Sequence, residues 1–298
     1  MDWRAHLQEY LAPRVAQVNR ALAAFLAYDV PLPRQLPEAM RYAALASGKR
    51  LRPILCIAAA EAVGGNADQV MPTACALELI HAFSLVHDDL PPMDNDRLRR
   101  GQPTVWVQFG EAMAILAGDA LFAKAFELIA EQAQYSPPER VVQTLHLIAT
   151  AAGVHGMCGG QVEDILSEGQ TISLEQLQFI HTHKTGALIR ASVLAGAILA
   201  GATPAQQAVL DAYSRALGLA FQITDDILNE TASPEQLGKP VGSDRARKKA
   251  TYTALLGVEQ ARQHALQAHR AAQEALQPLG EAANPLRWLV TYAIERTH

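Results

Sequence analysis

Long apolar stretches with a helical period, separated by short clusters of proline and glycine, limit what this chain can fold into. Alanine and leucine fill these stretches, and alanine alone supplies 54 of the 298 residues, which favours helices. β-Branched residues never alternate with polar ones over the length of a strand. The pattern predicts helices over residues 3–27, 37–47, 52–63, 70–90, 105–134, 138–154, 159–167, 173–184, 187–202, 205–230, 247–275 and 283–296.

No segment between these helices is long enough to separate two domains, and no internal repeat is visible. We therefore expect a single domain over residues 1–298 with an all-α fold, in which helices are buried on several faces. The longest uncharged run, Ala191 to Leu210, is interrupted by Gly196, Gly201 and Pro204. Its short apolar part favours a buried core helix over a membrane span.

Composition excludes several classes of protein. Half of the residues are hydrophobic, which is far too many for a disordered chain. The formal net charge is −5, from 25 Lys+Arg against 30 Asp+Glu, so a nucleic-acid partner is not expected. Cys56, Cys75 and Cys158 are odd in number and form no C-x-x-C pair, which argues against disulfides and zinc. With no signal peptide at the N-terminus, the chain is expected in the cytoplasm.

The first of two acidic clusters begins where an apolar helix, residues 77–86, ends. Four carboxylates follow this helix, at Asp88, Asp89, Asp94 and Asp96. The two prolines at 91–92 end or bend the helix, because proline lacks an N–H and restricts the residue before it. The bend would allow the carboxylates of Asp88 and Asp94 to converge despite their separation of six residues.

The second acidic cluster lies inside a predicted helix. Gln222, Asp225 and Asn229 have the spacing i, i+3, i+7, so they share one face, and Asp226 flanks them. Adjacent carboxylates on an apolar helix repel each other unless a cation compensates them. Oxygen ligands without histidine or thiolate favour Mg²⁺ bound together with substrate phosphates. The alternative for each cluster is a solvated acidic helix end.

Cations gather at helix breaks close to these carboxylates. They lie at residues 49–52, at Arg99 and Arg100, at Lys184, at Lys239 and at residues 245–249. Taken singly, each is more simply a surface charge. As a set they predict a cradle for a polyphosphate, with arginine forks, lysine point charges and bridging Mg²⁺.

The order of these clusters resembles that of the trans-isoprenyl diphosphate synthases, most closely the bacterial farnesyl diphosphate synthases. The resemblance covers nearly the whole chain and implies an all-α fold of antiparallel helices around a deep central cavity, as a homodimer. The matching segments are residues 48–53 (GKRLRP), 88–94 (DDLPPMD), 99–101 (RRG), 156–161 (GMCGGQ) with Asp164, 184–186 (KTG), 221–226 (FQITDD), 237–239 (LGK), 249–252 (KATY) and 294–296 (IER).

The resemblance also implies roles for the residues in these motifs. Asp88 and Asp94, with Asp89 beside them, would bind Mg²⁺ on one side of an allylic diphosphate. Asp225, with Asp226 nearby, would bind a third Mg²⁺. Thr185 and Gln222 would lie beside the reacting carbons, where their dipoles stabilise a cation. The allylic diphosphate would be held by Arg99, Lys184, Thr185, Gln222, Lys239 and, as a weaker match, Lys249; isopentenyl diphosphate would be held by Lys49, Arg52, His81 and Arg100.

The implied reaction is a prenyl transfer that depends on two to three Mg²⁺ ions. Isopentenyl diphosphate would condense with dimethylallyl diphosphate and then with geranyl diphosphate. No stable insertion into a membrane is expected. His87, next to Asp88, is expected to pack or to support the site rather than to act as a general base.

Product length should depend on the floor of the cavity. Phe83 lies five residues before Asp88, about 7.5 Å deeper along a helix. In the family, an aromatic residue at this position resembles a stopper for farnesyl diphosphate (C15), which we therefore predict as the product. The alternative is that Phe83 is an ordinary core residue.

Three competing interpretations remain open. A geranylgeranyl diphosphate synthase (C20) would share the chemistry and have a deeper cavity. A terpene cyclase needs no site for isopentenyl diphosphate. The residues implied to bind that substrate, Lys49, Arg52, His81 and Arg100, therefore argue against a cyclase. A non-catalytic subunit of a heteromeric prenyl synthase tends to lose its aspartates, whereas both motifs survive here. The second motif departs from the family at Asn229, where an aspartate is usual, so the third Mg²⁺ should bind more weakly.

Overall fold

The computed structural model describes residues 2–28, 33–231 and 250–296. The first half is built on helices whose ends follow the local sequence. Asp2 caps the first helix, because its carboxylate accepts the backbone N–H groups of Arg4 and Ala5. Asn66 caps the fourth in the same way. These helices are α1 (Trp3–Phe25), α2 (Gln35–Ala44), α3 (Leu51–Ala62), α4 (Ala67–Asp88), α5 (Val105–Phe109), α6 (Glu111–Glu131) and α7 (Pro138–Ala152).

The second half continues in the same manner, so the predicted all-α class is confirmed. Short 3₁₀ turns at Gln132–Gln134 and Gln277–Ala283 link neighbouring helices. The helices are α8 (Met157–Leu166), α9 (Leu174–Ile180), a π-helix (His181–Gly186), α10 (Ala187–Ala200), α11 (Pro204–Thr231), α12 (Tyr252–Leu256), α13 (Val258–Ala275) and α14 (Asn284–Glu295).

The centre of the molecule is formed by helices that are apolar almost all round. α3, α4 and α10 are buried along most of their length, as a helix without a polar face must be. α4 packs against α3, α6 and α10, and α10 also packs against α7 and α11. This arrangement buries the segment that precedes the first acidic cluster and leaves the cluster itself at the end of α4.

The predicted helix boundaries are wrong in three places. The helix predicted over 105–134 divides at Gly110, whose φ of 91° only glycine adopts readily. The predicted interruption between 184 and 187 is absent, because the π-helix joins α9 to α10 without a break. The helix predicted over 247–275 divides between α12 and α13, and residues 247–249 lie outside the described residues.

A small hairpin was not expected from the sequence. Strands β1 (Leu98–Arg99) and β2 (Gln102–Pro103) pair antiparallel, with Arg99 opposite Gln102. Arg100 at the turn has a φ of 53°, in the left-handed region that non-glycine residues rarely adopt. The hairpin thus presents two successive arginines beside the end of α4.

Two stretches within the described residues are long and apolar enough to cross a membrane by length and composition alone. One is α4, where 72% of the apolar window is buried inside the protein, as expected of a core helix. The other, Pro138–Leu166, is interrupted by the non-helical residues between α7 and α8. The run Ala191 to Leu210 is not among them, and α10 is buried.

Candidate active site

The first acidic cluster folds back on itself, as its prolines predict. α4 ends at Asp88, and the backbone N–H of Asp94 donates to the carbonyl of Asp88 at 2.8 Å. Asn95, with a φ of 52°, donates its N–H to the carbonyl of Leu90 at 3.0 Å and closes the loop. Asp88 and Asp94 are therefore neighbours in space, although six residues separate them in sequence.

The carboxylate of Asp89 binds the guanidinium of Arg99. This carboxylate is buried, and both of its oxygens accept hydrogen bonds from Arg99. Nε of Arg99 lies 3.0 Å from Oδ1 and from Oδ2, and Nη2 lies 2.6 Å from Oδ1. Burial alone would lower the pKa of Arg99, but the bonds and charge of Asp89 outweigh it and raise the pKa. Asp89 therefore orients one of the arginines predicted to hold the allylic diphosphate.

A cluster of basic side chains that includes two buried nitrogen atoms without a hydrogen-bond partner lies at α4. Nε of Arg52 and Nδ1 of His81 are buried and have no hydrogen-bond partner. Burial, together with the charge of Arg100, lowers the pKa of Arg52 to about 10, although Glu78 opposes this. Burial and the surrounding arginines hold the pKa of His81 well below its usual value, so this imidazole is neutral at pH 7. A buried N–H without an acceptor, as on Nε of Arg52, is costly, and an anion would satisfy it.

Another residue predicted to bind isopentenyl diphosphate, Lys49, lies above an aromatic ring. Its Nζ is 5.5 Å from the centroid of Tyr292 on α14, within the range of a cation–π contact. The sequence does not separate Arg50 from its neighbours, but the structure does. Arg50 is buried and donates to Glu78 and to Asn19, both at 2.8 Å, so it is a structural residue.

The π-helix carries Lys184 and Thr185. Nζ of Lys184 donates to Oδ2 of Asp164 at 2.6 Å, which ties the π-helix to α8. α8 can approach because Gly160 lacks a side chain: a Cβ there would lie 2.2 Å from the backbone N of Lys184. π-Helical turns cost backbone stability and frequently occur at functional sites. Gly160 therefore allows α8 to pack against the segment that carries Lys184 and Thr185.

The two carboxylates of the second cluster point to different partners. Asp225 has a side chain that is 45% exposed, and its Oδ1 accepts a bond from Arg296 at the end of α14. Asp226 is buried; its Oδ2 accepts the backbone N–H of Tyr252 at 2.8 Å and lies 3.3 Å from Nε2 of His181. Asp226 thus holds α11 to the π-helix and to α12. The sequence indicates Arg296 only as part of the matching segment at residues 294–296.

The remaining members of the predicted set are placed as follows. Gln222 is half-buried one turn before Asp225, and Asn229 is buried one turn after it. Lys239 and Lys249 lie outside the described residues. Contacts between elements connect the predicted residues: α8 and α11 both contact the π-helix, and α11 contacts α14.

Phe83 belongs to a row of aromatic rings below the first acidic cluster. Its centroid lies 4.8 Å from that of Phe122 on α6, and Phe122 lies 5.0 Å from Phe126. His87 meets the edge of Phe83 at 4.9 Å, and its Nε2 lies 3.1 Å from the carbonyl oxygen of Ile115. His87 therefore packs between α4 and α6.

The donor set suits a magnesium ion that is shared with phosphate. Among the described residues, no group of three or more His, Cys, Asp or Glu side chains could hold a metal ion by itself. Mg²⁺ commonly uses one or two protein carboxylates and takes its other ligands from water and substrate phosphates. Asp88 with Asp94, and Asp225, would provide oxygen ligands of this kind.

Comparison with known proteins defines the class. The model of the polyprenyl synthetase family matches residues 33–283. A dimethylallyltranstransferase from Fischerella ambigua (strain UTEX 1903) is 47% identical over 294 residues, covering 98% of this chain and 84% of that protein. A chloroplastic geranylgeranyl pyrophosphate synthase from Catharanthus roseus is 47% identical over 289 residues, covering 96% and 80%.

A solved structure shares the fold. The crystal structure of a putative farnesyl-diphosphate synthase from Marinomonas sp. MED121 is 40% identical, covers 97% of this chain and 99% of that one, and superposes with a TM-score of 0.84. The chain belongs to the polyprenyl synthetase family, the trans-isoprenyl diphosphate synthases. It is a trans-prenyltransferase, and its fold is the all-α isoprenoid synthase fold.

Proposed function

We propose that this enzyme is a farnesyl diphosphate synthase, which joins isopentenyl diphosphate to dimethylallyl diphosphate and then to geranyl diphosphate. The observation that carries the C15 product is the aromatic row of Phe83, Phe122 and Phe126. Phe83 lies about 7.5 Å below Asp88 along α4, and Phe122 supports its ring from α6. A growing chain anchored at the aspartates would meet this row as it lengthens.

The cationic cluster beside α4 is the proposed site of isopentenyl diphosphate. Arg52, Arg100, Lys49 and the neutral His81 bind its diphosphate, whose oxygens accept from Nε of Arg52 and from the N–H of the His81 imidazole. Two diphosphates bring about six negative charges into an acidic protein, because each carries roughly three near neutral pH. The positive charges among these side chains therefore stabilise the bound diphosphate.

The allylic diphosphate occupies the side of the two acidic motifs. Asp88, Asp94 and Asp225 hold Mg²⁺, which when bound neutralises the diphosphate and so promotes its departure. Arg99, oriented by Asp89, and Lys184, oriented by Asp164, bind its oxygens. The side chains of Thr185 and Gln222 turn their dipoles to the allylic cation. The double bond of isopentenyl diphosphate attacks C1, and the proton that is then lost goes to the released diphosphate.

The proposal includes a homodimer in the cytoplasm. Neighbouring helices expose apolar side chains that a second copy would cover: Ile115 and Leu116 on α6, and Val142 and Leu145 on α7. The mass of the purified enzyme in solution, measured by light scattering, tests the dimer. A monomeric mass at micromolar concentration would contradict it.

One incubation tests the product. The enzyme is supplied with Mg²⁺, labelled isopentenyl diphosphate and dimethylallyl diphosphate, and the dephosphorylated products are separated by chain length. We expect C15 alcohol, whereas no product would support a non-catalytic subunit. A second candidate, a geranylgeranyl diphosphate synthase, is favoured by the relative from Catharanthus roseus, whose name states that activity. Predominant C20 alcohol would support it.

A pair of variants then tests the floor. Phe83→Ala should shift the product towards C20 or longer, because the ring that blocks the chain is removed. Phe126→Ala removes an outer ring of the same row and is the matched control, with a smaller shift expected. An unchanged product distribution in Phe83→Ala would show that Phe83 is an ordinary core residue.

A further inference from the structure

The last described residue of the chain holds one of the proposed metal ligands. Arg296 directly follows α14, and its side chain is only 7% exposed. Its Nη2 donates to Oδ1 of Asp225 and, at 3.2 Å, to the carbonyl oxygen of Phe221. Its Nε donates to the carbonyl oxygen of Ala293 at 3.2 Å. The guanidinium also lies 3.9 Å from the centroid of the Phe221 ring.

This arrangement places a permanent positive charge against the more exposed carboxylate of the second motif. The guanidinium cannot lose its proton near neutral pH, so pH does not relieve the contact. A divalent cation at Asp225 would meet both the charge of Arg296 and a carboxylate oxygen that is already used. In the first motif, Arg99 donates its hydrogen bonds to Asp89, the second carboxylate of the adjacent pair.

We propose that Arg296 is a placeholder cation at the second aspartate motif. It compensates Asp225 in the metal-free enzyme and leaves that carboxylate when Mg²⁺ and diphosphate bind. Binding of the metal at Asp225 and seating of the C-terminal arginine are then mutually exclusive. This inference rests on the proposed function, which assigns Mg²⁺ to Asp225.

The placeholder weakens metal binding by the free energy that its contacts contribute. Charge-assisted hydrogen bonds are among the stronger polar contacts, although Asp225 is partly open to water. Removing the arginine should therefore lower the half-saturating Mg²⁺ concentration by about fivefold.

The test measures binding without turnover. The midpoint of thermal unfolding is followed as Mg²⁺ is added in the presence of a fixed excess of inorganic diphosphate, because a ligand of the folded state raises this midpoint. The variant is Arg296→Gln. The matched control is Arg4→Gln. It breaks the exposed 2.7 Å ion pair between Arg4 and Glu295, the residue that precedes Arg296, and leaves Asp225 unchanged.

We expect Arg296→Gln to reach half of its Mg²⁺-dependent shift at about one-fifth of the concentration that the parent protein needs, with Arg4→Gln unchanged. An equal or higher concentration for Arg296→Gln would overturn the inference. Arg296→Lys keeps the positive charge but loses the additional N–H contacts of the guanidinium, so its half-saturating Mg²⁺ concentration should lie between those of Arg296→Gln and the parent. A lysine variant that is as sensitive as the glutamine variant would also overturn it.

Failure of the inference is distinguishable from failure of the proposed function. If the parent protein shows a Mg²⁺-dependent shift that Asp225→Asn lacks, Asp225 binds metal and the comparison with Arg296→Gln is decisive for the placeholder. If the parent protein shows no shift with Mg²⁺ and diphosphate, the proposed magnesium site is wrong and the inference fails with it.

Discussion

The two aspartate motifs arrange their adjacent carboxylates in the same way but bind them to different partners. In each adjacent pair, the second carboxylate is buried and bound inside the protein: Asp89 to Arg99, and Asp226 to His181 and the N–H of Tyr252. The first carboxylate, Asp88 or Asp225, is more exposed. Adjacent residues on a helix point in different directions, so one member can anchor while the other meets a ligand.

The difference between the motifs lies in what neutralises the anchor. Asp89 is paired with a charged group, and Arg99 is itself a proposed ligand of substrate. Asp226 is held by a backbone N–H and an imidazole, which connect α11 to α12 and to the π-helix. The first pair therefore couples the anchor to substrate binding, whereas the second couples it to the architecture of the helices.

The largest expected effect separates the exposed members from the buried ones. Asp88→Asn and Asp225→Asn should each lower kcat/KM on the order of 10²–10³-fold, because each removes charge that compensates the leaving diphosphate. Asp225→Asn should lower the free energy of unfolding by about 1 kcal/mol, because Arg296 loses its charged partner, and Asp88→Asn should lower it by no more. Steady-state kinetics with geranyl diphosphate and urea unfolding provide the two measurements. If Asp88→Asn lost little activity, the assignment of Asp88 to metal would be wrong.

The buried members should show the opposite balance. Asp226→Ala should lower the free energy of unfolding by about 2–3 kcal/mol, because the N–H of the buried Tyr252 loses its acceptor. Asp89→Ala should cost less, about 1–2 kcal/mol, because Arg99 is one-third exposed and can reach water. Urea unfolding measures both. A greater cost for Asp89→Ala would reverse the contrast between the motifs.

A smaller effect concerns the two histidines near the motifs, since His181 has a carboxylate partner and His81 has none. Folding lowers the pKa of His81. Below pH 6.5 the unfolded chain therefore binds a proton at this imidazole that the folded chain does not bind. Stability is therefore present above pH 6.5 and is lost as the pH falls, by up to about 1.4 kcal/mol per pH unit.

The measurement is urea unfolding of the parent and of His81→Gln between pH 7.5 and pH 5. The variant should lose this part of the pH dependence. His146→Gln, at an exposed position on α7, is the control for loss of an imidazole. The same slope in the parent and in His81→Gln would show that His81 does not bring it about.

The smallest expected effect tests the departure of the second motif from its family. Asn229→Asp adds the third carboxylate of the motif, on the face of Asp225, and should lower the Mg²⁺ concentration needed for half-maximal activity by a few-fold. Asn229 is buried, so the new charge should also cost some stability. A Mg²⁺ titration of activity compares the two proteins. Identical curves would show that the asparagine does not weaken the third metal site.

Local signals in the sequence predicted much of the fold. Clusters of proline and glycine marked the ends of α4 and α7, and the apolar character of α3, α4 and α10 predicted their burial. The errors came from backbone geometry that side-chain periodicity does not encode. Gly110 divides a helical pattern with a positive φ, and the π-helix accommodates Lys184–Gly186 without a break.

The sequence by itself determined which residues carry charge, and in what order they follow the apolar helices. That was sufficient to indicate two acidic motifs, a set of cations and the family. Only the tertiary structure decided which cation meets which carboxylate, because these pairs join distant segments: Arg99 with Asp89, Arg296 with Asp225, and His181 with Asp226. Burial then sets the energetic meaning of each pair, since a charge has different consequences in water and in a packed interior.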